Sequence, residues 1–178
     1  QDTTEVNKKR LWVTLGGGTV GYVGSLIALN EVWYKNQPRE SFHFFNDNYE
    51  WLQVDKYGHA LTAYELGRAG DDALQWCGVK REKALWYGGM LGAAYLTTFE
   101  MLDGFASGWG FSWGDAGANF SGSAMYIGQE LLWQEQRIKP KFSVHLTDYA
   151  AVRPEVLGET FTERMFKDST FKCFSCKK

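Results

Sequence analysis

The sequence predicts an all-α protein: a compact bundle of about four main helices with an extended C-terminal segment and short terminal helices. Apolar residues recur at three- and four-residue intervals through most of the chain before Pro140. Capping-box spacings mark helix starts at Asp47 with Glu50 and at Ser112 with Asp115. Strand-like alternation shows only beyond Pro140. At 178 residues the chain is long enough for one domain with a sizeable core, so a single helical domain over residues 1–178 is expected.

The first helix is expected from about Lys9 to Tyr34, ended by a polar linker with Pro38. Gly17, Gly21 and Ser25 fall four residues apart on it, a small-residue face against which another helix can pack closely. The second starts at the Asp47 box and runs to Gly67 or Gly70, with Asp71 and Asp72 capping a short following turn. The third, about Arg81 to Phe105, is apolar nearly all round, which signals burial or lipid contact; its acids after Glu82 are Glu100 and Asp103. A loop rich in Gly, Ser and Trp follows, and Ser112 opens a fourth helix to about Gln136. Past Pro140, Phe142, Val144 and Leu146 alternate with polar residues as an extended segment, followed by short helical turns at Pro154–Leu157 and after Thr160.

Composition narrows the function. A net charge of −2 gives no basic field for phosphates, so nucleic acid is not an expected partner. Gly16-Gly17-Gly18 lacks the Lys-Ser/Thr of a phosphate loop and Gly108-x-Gly110 lacks the rest of a dinucleotide fingerprint, so no nucleotide is expected either. Aromatics make up 16% of the chain, including 8 Trp, many beside helix ends, where amphipathic rings suit a membrane interface. Leu11 to Leu29 carries no charge and is about long enough to cross a bilayer, although five glycines dilute its hydrophobicity. Opening at Gln1 suits an exported chain after signal-peptide removal, and no Cys at position 1 offers a lipid anchor. Three cysteines mean at least one thiol is free or paired between chains; Cys173 and Cys176, in a basic tail over residues 169–178, suit a local disulfide in an oxidising periplasm.

The residues that could carry chemistry form one constellation: Asp55-Lys56-x-x-His59, Glu100-x-x-Asp103-Gly104, and Ser112-x-x-Asp115-x-x-x-Asn119. Each set falls three or four residues apart and projects to one side of its helix. Carboxylates and a histidine converging from separate helices are how bundles build acid/base or metal sites. Asp55, His59 and Asp103 are the candidate catalytic groups; Lys56, Glu100, Ser112, Asp115 and Asn119 complete the polar cluster, with Glu100 at its margin. His59, Asp103 and Asp115 are the candidate ligands of a divalent ion, the one cofactor this pattern suggests. Each has a plain structural alternative: Asp115 as the capping partner of Ser112, Asp55 and Lys56 as a solvated pair, His59 as a satisfied core histidine.

This spacing resembles a bacterial family of predicted periplasmic lipoproteins of unknown function, the YfiM-like group. The likeness runs through Phe45-Asn46-Asp47 with Trp51, Asp55-Lys56-x-x-His59, Glu100-x-x-Asp103-Gly104, Phe111-Ser112-x-x-Asp115, Ala118-Asn119-x-x-Gly122 and Arg153-Pro154-x-x-Leu157-Gly158, over about residues 42–168. More distantly, Asp-Lys-x-x-His followed by Asp-x-x-x-Asn-x-x-Gly is similar to VanZ-like membrane proteins. Both resemblances imply a helical envelope protein, and neither supplies a reaction. The expectation is a membrane-associated protein on the periplasmic side, at the outer membrane, with lipid and an outer-membrane protein complex as partners and an accessory or scaffold role. The alternative is a metal-dependent hydrolase acting on a lipid or glycan headgroup.

Overall fold

The computed structural model describes residues 5–31, 38–46, 53–141 and 175–176. By contact the chain divides into two units, Gln1–Glu135 and Gln136–Lys178. Among the described residues the first holds five helices: α1 (Lys8–Leu29), α2 (Val54–Trp76), α3 (Arg81–Gly89), α4 (Leu91–Asp103) and α5 (Trp113–Trp133). In the second, β1 (Ile138–Lys139) pairs antiparallel with β2 (Ser175–Cys176). The Asp47–Glu50 capping box, the extended segment from Phe142 and the turns beyond Pro154 lie outside the described residues.

The all-α expectation holds, and the deviations are instructive. The second helix does not stop at Gly67 or Gly70 but continues to Trp76, so Asp71 and Asp72 are interior residues and cap nothing. Tertiary contact outweighs the glycines' low helix propensity here. A Cβ on Gly67 would stand 2.6 Å from the Gly89 carbonyl oxygen, and one on Gly70 2.8 Å from that of Gly88. Asp71 is buried, and its carboxylate accepts from the Tyr126 hydroxyl at 2.7 Å and from the Gln75 amide at 2.8 Å. The pairing with Asp71, after burial itself, holds the Tyr126 hydroxyl protonated well above the usual phenol range.

The expected third helix is two, separated at Met90. Gly88 and Gly89 weaken the helix there, and Gly88 packs directly on the α2 backbone at Asp71. The first turn of α4 has no side-chain cap of its own. Ser123 supplies an acceptor from outside, its buried hydroxyl taking the Ala93 N–H at 3.1 Å. The fourth expected helix, α5, begins at the N-cap Ser112, whose hydroxyl accepts from Asp115 N at 3.2 Å. It ends at Trp133, with Gln134 in the left-handed region at φ 53.

Close packing through small residues therefore exists, but it surrounds α2. A Cβ on Gly92 would overlap the Ala63 carbonyl, and one on Gly122 that of Ala60. Gly17 and Gly21, expected to pack, have no atom within 4 Å of a built Cβ, and α1 has no buried residue. Of that trio only Ser25 meets another helix, accepting the Tyr95 hydroxyl at 2.9 Å. The start of α1 is tied to the end of α2: Asn7 N–H donates to the Cys77 carbonyl at 2.9 Å, and Arg10 lies 4.7 Å over the Trp76 ring. Cys77 is a free, buried thiol.

Candidate functional site

Three helices bring the polar constellation together. Asp55, Lys56 and His59 lie on the first two turns of α2, Glu100 and Asp103 close α4, and Asp115 and Asn119 open α5. Helix ends converge because Ala60 and Ala63 of α2 sit against Gly122 and Gly92 with no side chain between. Short backbones at the crossing leave the longer polar side chains one turn away to meet.

His59 is the hub. Its Nδ1 lies 2.9 Å from Asn119 Oδ1; with the amide oxygen accepting, Nδ1 carries the proton. Its Nε2 then faces Glu100 Oε1 at 3.6 Å and Asp55 Oδ1 at 3.7 Å. Glu100, expected at the margin, is central: it is buried, and Ser112 N–H donates to its Oε2 at 3.4 Å. Burial first, then the charges of Asp115 and Asp103, push its carboxyl up to about 8, so Glu100 is protonated at neutral pH. Asp103 stands near enough to add its charge but is not among the closest donor set. Among the described residues that set is Asp55, His59 and Asp115, whose ligand atoms all lie within 4.8 Å of one another. Of these, Asp55 is half-exposed and opens the site to solvent.

Lys56 supplies the cluster's positive charge, its Nζ 2.9 Å from Asp115 Oδ1 with both side chains nearly buried. Asp115 is thus both the capping-box partner of Ser112 and one half of an interior ion pair. Asn119 is fully buried, and its Nδ2 has no hydrogen-bond partner among the described residues. Removing one side of a nearly buried pair costs far more than removing a surface pair. Asp115→Ala should lower unfolding free energy by about 3 kcal/mol in urea titrations, whereas Glu65→Ala, breaking the exposed Arg68–Glu65 pair, should cost under about 1 kcal/mol.

Sequence reasoning did not single out the strap over residues 38–46, which runs along the α4–α5 loop. Glu40 N–H donates to the Phe105 carbonyl at 3.0 Å, His43 N–H to Gly104 at 2.9 Å, and Phe45 and Phe111 N–H to Phe111 and His43, each at 3.0 Å. The strap carries Phe42 and Phe44 onto Phe105, Phe111 and Trp113, with Phe44 stacked on Trp113 at 6.0 Å. The signal was present in Phe42, Phe44 and Phe45, but nothing local tells which loop such a segment covers.

Residues 43–128 match the model of a family described as predicted periplasmic lipoprotein (DUF2279). The matched region takes in the end of the strap, α2, α3, α4 and most of α5, and so every residue of the polar cluster. The match supports a periplasmic lipoprotein family of unknown function and, with it, an envelope protein of the periplasm. No curated protein and no solved structure matches the chain.

Proposed function

We propose that this protein works at the periplasmic side of the outer membrane as an accessory or scaffold subunit of a larger envelope assembly. The observation carrying this reading is α1. It is 22 residues long and apolar enough to cross a membrane by length and composition, and none of it is buried within the chain. Trp12, Val13, Val20, Val23 and Ile27 all face outward, beside the open glycines Gly17 and Gly21. An uncovered face of this size calls for lipid or another helix. The aromatic patch of Phe44, Phe105 and Trp113 adds exposed rings of the kind that settle at bilayer interfaces.

Fractionation of the native envelope tests it: the protein should sediment with outer membranes and need detergent for release. Recovery in soluble periplasm without detergent overturns the reading. Gly21→Leu separates packing inside the chain from packing outside it. Melting should stay within about 0.5 kcal/mol of the parent or rise slightly, because the site is open and Leu is the better helix former, while membrane retention or complex recovery falls.

A second reading, hydrolysis of a lipid or glycan headgroup, is favoured by the polar cluster. His59 or Asp55 would act as general base beside a metal-activated water. Release of headgroup from envelope lipid or glycan by the purified protein tests it, with loss expected in His59→Gln and Asp103→Asn.

A further inference from the structure

We propose that Asp55, His59 and Asp115 form an open binding site for one divalent first-row cation, oriented from behind by Asn119. Two ligands of a tetrahedral ion with bonds near 2.1 Å stand about 3.3 to 3.4 Å apart. His59 Nε2 and Asp55 Oδ1 are 3.7 Å apart, too long for a hydrogen bond and close to that ligand spacing. The ligand atom of Asp115 completes a set whose members all lie within 4.8 Å of one another.

The arrangement around His59 is the one metal-bound histidines use. A second group, the Asn119 amide oxygen at 2.9 Å, takes the Nδ1 proton and fixes the ring so that Nε2 faces the carboxylates. Two carboxylates and one imidazole suit a borderline ion of the zinc or manganese type, and three protein ligands with one exposed leave coordination positions for solvent or substrate.

Asp55 replaces Asp103 from the sequence-derived set because it lies one turn from His59 on the same helix face, whereas Asp103 closes α4 beside Glu100. Lys56, on Asp115 Oδ1, is the resident competing cation.

Zinc titration of the metal-stripped full chain against a chromophoric chelator tests the site, in a Cys173→Ser/Cys176→Ser background that removes the Cys-x-x-Cys alternative. One equivalent should bind. Asp55→Asn, at a half-exposed position that tolerates the change, should weaken binding at least tenfold, as should His59→Gln. Asp72→Asn, exposed and remote in the chain, should leave binding unchanged, and Lys56→Met should tighten it. Less than one equivalent on the parent protein, or equal affinity in Asp55→Asn, overturns the proposal. The site deepens the hydrolase reading but stands apart from it: zinc bound with no headgroup released ends that reading and leaves the site.

Discussion

Gly92→Leu should prevent the protein from folding. A Cβ at this position would overlap the carbonyl of Ala63 and crowd its Cα, all main-chain atoms of α2. Flexible side chains can swing aside from an added methyl; a helix backbone held on several sides cannot. Overpacking a tight core costs about 1 to 3 kcal/mol and more when backbone must move, against a total stability of about 5 to 15 kcal/mol for a domain. Here α2 would have to shift, and the shift would also separate Gly122 from Ala60 and Gly67 from Gly89. Circular dichroism and soluble yield check it: Gly92→Leu should lose cooperative melting, while Gly21→Leu retains it. A cooperative Gly92→Leu with near-parental melting would mean that α2 and α4 do not cross at backbone contact.

Glu100→Gln should stabilise the metal-free protein above neutral pH and flatten its pH dependence. The buried Glu100 carboxyl titrates at about 8 in the folded chain, against 4.5 for the ordinary group. The folded state therefore holds a proton that the unfolded state releases. The associated stability is fully present below pH 4.5, declines between there and about 8, and is flat above. The slope is roughly 1.4 kcal/mol per pH unit, accumulating to a few kcal/mol. Glutamine keeps the acceptor for Ser112 N–H but has no charge to bury. Urea unfolding at a series of pH values with chelator present should show the parent weakening with pH and Glu100→Gln holding level. Parallel curves would show that Glu100 ionises freely in the folded chain.

Most of the helical plan was legible because its signals are local. Ser112 followed by Asp115 announces an N-cap, and it caps α5. Glycine was harder to read. Gly17 and Gly21 have the spacing of a packing face yet stand open, while Gly67 and Gly70 look like stops and prove to be contact points inside a continuous helix. Spacing says that a helix can be approached closely; only the partner's own small residues, Gly88 and Gly89, decide where. The gathering of Asp55, His59, Asp115 and Asn119 followed from their helix phases. The central place of Glu100 did not, because it depends on the break at Met90 and on Ser112 turning its N–H toward α4. The Asp71–Tyr126 pair escaped for a similar reason: a residue read as a cap is held across 55 positions of sequence by a hydroxyl on another helix.

Glycine-to-backbone contact on several sides of α2 also governs how the polar cluster moves. Gly67 and Gly70 of α2 meet carbonyls of α3, and the Ala60 and Ala63 carbonyls of α2 meet glycines of α5 and α4, so the helix can neither slide along nor rotate about its axis without collision. His59 and Lys56 ride on that immobile rod, while freedom to rearrange is left to the exposed side chain of Asp55. A ligand reaching the cluster thus meets groups already ordered by folding, and the entropy lost in arranging them has been spent before it arrives.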